Sequence, residues 1–139
     1  MPFVIEPEVP GGLGEKCRID SSVHPPHVSY LHVHLEGWLG DDLLEVFPCF
    51  IVTELLRRAF EDARVNGISF EDVMITRSEA FDELYPGRPL PKFWRLNIDP
   101  DITGGDFWLR PDYRLAVSDE FLSKLSAVAQ INNADIRRL

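Results

Sequence analysis

Four histidines, His24, His27, His32 and His34, fall within eleven positions, and the last two are separated by a single residue. In an extended chain alternate side chains share a face, so His32, His34 and Glu36 project together. Imidazole and carboxylate groups at that spacing can hold zinc, copper or iron. A closed site needs further ligands, and no histidine follows His34. An amphipathic strand with one polar, solvent-facing side produces the same pattern. The expectation is therefore no metal and no cofactor, with His32, His34 and Glu36 as the alternative ligand set.

Asp41, Asp42 and Glu45 lie in and just after a glycine-flanked turn, beside Trp38. Paired carboxylates act as acid and base only where a pocket tunes them apart, so these read as exposed turn charges. An aromatic ring beside clustered carboxylates also suits an Arg- or Lys-rich partner. Trp38, Asp41, Asp42 and Glu45 are thus the candidate partner-binding residues. Being exposed, Asp41 and Asp42 are predicted to tolerate charge reversal without loss of stability. Asp99, Asp101 and Asp106 lack the alternating ligands and closing Glu of a calcium loop, and read as a polar Gly-Gly loop. Ser118 precedes Asp119 with no histidine nearby, which makes it a helix cap. Neither a nucleophile nor a phosphate loop is recognisable, and no catalytic residue is expected.

The elements that would position these groups show a recurring phrase. Val52-Thr53-Glu54 leads into a stripe of Leu55, Leu56, Ala59, Phe60 and Ala63, then through Asn66-Gly67 into Ile68 to Val73. Val117-Ser118-Asp119 leads into Phe121, Leu122, Leu125, Val128 and Ala129, then through Asn132-Asn133 into Ala134 to Ile136. Each copy reads as strand end, hydroxyl cap, amphipathic helix and strand. Either an internal duplication or the chance recurrence of a common phrase accounts for it. A strand–helix–strand unit forms a right-handed parallel crossover. Tyr30 to Glu36 alternates as a strand, Gly37 to Asp42 turns the chain, and Leu43 to Val52 returns, with Pro48 marking a bulge or an edge. The predicted fold is α+β: a two-layer mixed β-sheet carrying two main amphipathic helices.

At 139 residues the chain reads as a single domain, 1–139. Residues 1–27 form an irregular N-terminal segment with short strands, and 28–139 form the α/β body. The 23 acidic residues outweigh 14 basic ones, giving a net charge of −9. That sign disfavours nucleic acid and anionic lipid and favours a basic partner. Cys17 and Cys49 match no metal or redox spacing, so unpaired thiols and a cytoplasmic location are expected. No apolar run approaches membrane-spanning length.

Three phrases carry a family resemblance: Trp38 to Asp42, Leu90 to Leu96, and Leu115-Ala116-Val117-Ser118-Asp119-Glu120-Phe121. The last is similar to the L-x-V-S-[DE] strand-to-helix step near the end of small bacterial immunity proteins of polymorphic and contact-dependent toxin systems. The resemblance spans roughly the C-terminal two-thirds of the chain. It implies an antitoxin that binds and occludes one cognate toxin domain, with no catalytic residues of its own.

Overall fold

The computed structural model describes residues 1–139. In chain order the first elements are β1 (Phe3–Glu6), β2 (Gly11–Leu13), β3 (Arg18–Asp20), β4 (His27–Tyr30), β5 (His32–Leu35), β6 (Leu43–Val46) and β7 (Cys49–Thr53). Then come α1 (Glu54–Asp62), β8 (Ile68–Asp72), β9 (Met74–Arg77), α2 (Glu79–Leu84) and β10 (Phe93–Ile98). The chain finishes with β11 (Phe107–Leu109), β12 (Leu115–Val117), α3 (Asp119–Val128) and β13 (Asp135–Arg138). The result is an α+β fold, with the strands divided among four sheets.

Two four-stranded sheets, ordered β6-β7-β10-β8 and β11-β12-β1-β13, follow one plan. In each, a hairpin (β6–β7 or β11–β12) leads into a helix and then a strand (β8 or β13). That strand is parallel to the second hairpin strand but not adjacent to it. A central strand, β10 or β1, lies between them and pairs antiparallel with both. The registers also correspond. Leu43 faces Val52 and Val52 faces Trp94, as Phe107 faces Val117 and Val117 faces Phe3. The two sequence phrases therefore describe one topological unit used twice.

The helix entrances repeat to the level of single hydrogen bonds. The Thr53 hydroxyl oxygen accepts from Leu56 N–H at 3.4 Å, and that of Ser118 accepts from Phe121 N–H at 3.1 Å. Thr53 N–H donates to the Asp42 carbonyl at 3.0 Å, and Ser118 N–H donates to the Asp106 carbonyl at 3.0 Å. Each cap hydroxyl also donates to the same aspartate's carboxylate, at 2.7 Å for Asp42 and 3.2 Å for Asp106.

One core binds the units together. Leu56 and Phe60 from α1 and Phe121 and Leu125 from α3 are buried with Val52, Leu96, Ile5 and Val117. Phe60 stands at its centre, with ring centroids 5.9 Å from Phe121 and 5.1 Å from Phe107. The opposite face of β6, β7 and β10 packs into a second core with β5 and α2, through Leu44, Ile51, Phe93, Leu35 and Phe81. Burial on both faces explains why Cys49-Phe50-Ile51-Val52 is a continuous apolar run, not an alternating one.

Several local expectations give way. Among the short strands expected within residues 1–27, Phe3 to Glu6 forms one, and it is the central strand of its sheet, not a peripheral piece. Pro48 sits in the tight turn between β6 and β7, where Val46 pairs with Cys49, so its missing N–H costs the ladder nothing. The strand after Gly37–Asp42 does not return against β5. It pairs with β7, while β5 pairs with β2 and, in parallel, with β9. Both cysteines are free thiols, Cys49 buried and Cys17 half-buried. No helix is long and apolar enough to cross a membrane.

Candidate functional site

The turn from Gly37 to Asp42 gathers three of the four residues expected to meet a partner, and it holds them inward. Asp41 is 0% exposed. Its carboxylate accepts from Asn133 N–H and from Asn133 Nδ2, each at 2.8 Å, and from Gln130 Nε2 at 3.4 Å. Asp42 is half-buried; beyond the cap bond, its Oδ2 accepts from Gln130 N–H at 2.7 Å. Trp38 is buried edge-on to Phe93 with centroids 5.5 Å apart, and its Nε1 donates to the Asp41 carbonyl at 2.9 Å. The Arg88 guanidinium lies 4.4 Å from the Trp38 ring centroid and donates to the Trp38 carbonyl. The expected exposed turn charges are thus structural anchors that tie the segment after α3 to the start of β6. Asp41→Lys would place an ammonium among donors and leave three donors unmatched. The burial of Asp41 removes the exposure on which a neutral charge reversal rested, and Asp41→Lys is expected to cost about 3–5 kcal/mol.

Glu8 completes the turn from the other side. This buried carboxylate accepts from Leu39 N–H at 2.7 Å and from Asp41 N–H at 3.3 Å. Burial pushes its carboxyl above the ordinary range, against the two N–H donors that favour the charged form. Leu39 is consequently held at both ends of its backbone, because its carbonyl also accepts from Gln130 Nε2 at 3.3 Å. Its side chain remains 59% exposed. An apolar side chain on an immobilised turn is ready to bind, since little ordering entropy remains to be lost on contact.

Glu45, the fourth expected residue, stands apart on β6. Burial raises its carboxyl above the ordinary range, Glu6 adds to the rise and Arg114 opposes it. Glu8, Arg88, Gln130 and Asn133 were not legible as members of the site. They come from distant parts of the chain, and the Asn132-Asn133 pair carried only the signal of a helix stop.

The histidine strand is a closed hydrogen-bond relay. His32 is 4% exposed, not solvent-facing, because the segment from Gly14 to Cys17 lies over it. Gly14 is required there, since a Cβ at that position would lie 2.2 Å from the His32 ring. Lys16 N–H donates to His32 Nδ1 at 3.1 Å, which assigns the neutral ring's proton to Nε2. Nε2 then donates to Thr76 Oγ1 at 2.7 Å, and the Thr76 hydroxyl donates on to His34 Nδ1 at 2.7 Å. His34 Nε2 faces Glu36 at 3.8 Å. Both ring nitrogens of His32 are therefore engaged. No group of three or more His, Cys, Asp or Glu side chains converges on a point that could hold a metal ion.

Another surface feature is a groove of about 720 Å³ between α1 and α3. Sequence reading assigned both helix stripes wholly to the core, and the groove was missed.

Compared with protein-family models, curated proteins and solved structures, the chain matches none.

Proposed function

We propose that the protein is an immunity-type antitoxin that neutralises a cognate, basic toxin domain in the cytoplasm by binding it directly. The carrying observation is Leu39, an exposed apolar anchor whose backbone is fixed by buried Glu8 and by Gln130. Exposed Glu36 lies three residues before it, and the net charge of −9 favours a cationic surface. Trp38, Asp41 and Asp42 serve binding by holding this turn, while Leu39 makes the contact. Complementary charge would act chiefly on the rate of capture, so added salt would slow association more than it speeds release.

Co-expression with the toxin candidate encoded beside this chain tests the reading. The unmodified protein is expected to protect. Leu39→Lys, which removes the anchor and adds a repulsive charge, should weaken capture by about tenfold to a hundredfold while the protein stays folded. Unchanged toxicity with the unmodified protein would end the immunity reading. Full protection by Leu39→Lys, with unaltered binding kinetics, would keep the role and remove the turn from the interface.

A further inference from the structure

The α1 stripe is wider than the core requires. Leu56 and Phe60 fill the interior, whereas Leu55, Ala59 and Ala63 form a second row at i, i+4 and i+8, the ridge by which helices pack. With Phe121, Leu125 and Val128 of α3 they line the groove. Leu55 is 50% exposed and Val128 55% exposed, so the groove presents large apolar side chains that nothing within the chain covers. Apolar surface of this kind, bounded by charged residues, marks a contact site.

The charges around it indicate the occupant. Glu54, Arg58 and Asp62 from α1 and Lys124 from α3 border the groove, two acidic and two basic. The groove is therefore neutral on a protein whose net charge is −9. A cationic partner would gain nothing there over the rest of the surface. Two copies of this chain, each at −9, repel each other overall, and a patch of no net charge opposes their contact little. A symmetric contact also needs a surface complementary to itself, offering both signs. Asp62 has no ion-pair partner within the chain, while Lys124 pairs with Glu120 at 3.6 Å on an exposed helix face, a bond easily exchanged.

We infer that the α1–α3 groove is the interface of a symmetric homodimer, in which the helix pair of one copy covers that of the other and Asp62 of each meets Lys124 of its neighbour. The inference is independent of the antitoxin reading and shares no residue with the turn around Leu39.

Sedimentation velocity of the full chain over a wide concentration range tests it. The expected result is a concentration-dependent rise from the 15.9 kDa chain to twice that mass. Leu55→Lys and Val128→Glu, both at half-exposed positions, should keep the mass of one chain throughout, with unchanged circular dichroism and melting. Asp62→Lys should weaken association by about tenfold, and adding Lys124→Asp should restore it. A single-chain mass at every concentration would overturn the proposal and leave the groove to a different partner. A dimer unaffected by Leu55→Lys and Val128→Glu would overturn it too, since the interface would then lie elsewhere.

Discussion

The two units built on β10 and on β1 share topology, register and cap, so their differences isolate what each has been fitted to do. At the helix cap, Asp106 serves Ser118 alone and is exposed, whereas Asp42 serves Thr53 and also accepts from the Gln130 N–H. At the seventh helical position the residue is the large Phe60 in one unit and the smaller Leu125 in the other. At the first hairpin strand, Glu45 faces Phe50 where Leu109 faces Leu115. The unit built on β10 is thus the more heavily tied. Its far sheet face is also buried, and it carries the turn that presents Leu39. The unit built on β1 is the plainer version of the same arrangement, and it shows which features the fold alone requires.

Substitution at matched positions should magnify this contrast. The largest effect is expected at the centre of the shared core. Phe60 touches aromatic rings from both units, so Phe60→Ala should cost about 3–5 kcal/mol, and Leu125→Ala should cost less, toward the lower end of about 2–5 kcal/mol. Urea denaturation of both variants checks the order, and equal losses would mean that Phe60 does not bridge the units. A smaller difference is expected at the caps. Asp42→Ala removes acceptors from both Thr53 and Gln130 and should cost about 1–3 kcal/mol, while Asp106→Ala should cost about 0.5–1 kcal/mol. Matching thermal shifts for the two would show that the Gln130 bond contributes nothing.

The smallest effect concerns Glu45 and depends on pH. Burial raises this carboxyl above its ordinary value of 4.5, so the folded state holds the proton more tightly than the unfolded chain. The associated stability is fully present below pH 4.5 and is lost as pH rises through the raised value. Glu45→Gln should therefore gain stability over the unmodified protein between pH 4.5 and neutrality, and should show no gain in acid. Denaturation curves across that range decide it; a gain at the acid end that vanishes at neutrality would reverse the assigned sign.

Much of the repeated unit was legible because its signals are local. Thr53 and Ser118 stand directly before helical stripes, and Leu56, Phe60, Phe121 and Leu125 keep helical spacing, so capping and burial follow from neighbours a turn away. Phe3 to Ile5 and Phe93 to Ile98 read as strands, but their central place in each sheet was not legible. Phe3-Val4-Ile5 reads the same at an edge as between two strands, and the deciding partners, β12 and β13, lie at the far end of the chain. The turn failed for the same reason. Asp41 beside Gly40 has the composition of an exposed loop, and its burial depends on Glu8 from one end and Gln130 and Asn133 from the other. His32 likewise alternated as a polar face, and only the covering segment around Gly14 makes that face an interior.

The insertion of β1 between β12 and β13 has a consequence for chain order. Leu139 N–H donates to the Pro2 carbonyl at 2.9 Å, and the terminal ammonium of Met1 reaches Asp119 at 3.1 Å, so residues 1 and 139 lie side by side. Read around a circle instead of along a line, the second unit runs β11, β12, α3, β13, β1. The first runs β6, β7, α1, β8 and, after β9 and α2, β10. The two sequences of elements coincide once the ends are joined. A circular permutant that links residue 139 to residue 1 and opens in the exposed stretch from Asp99 to Thr103 would write both units in one order. In such a chain the central strand of each sheet would follow its helix, and the long wait of β1 for partners at the opposite end of the polypeptide would disappear.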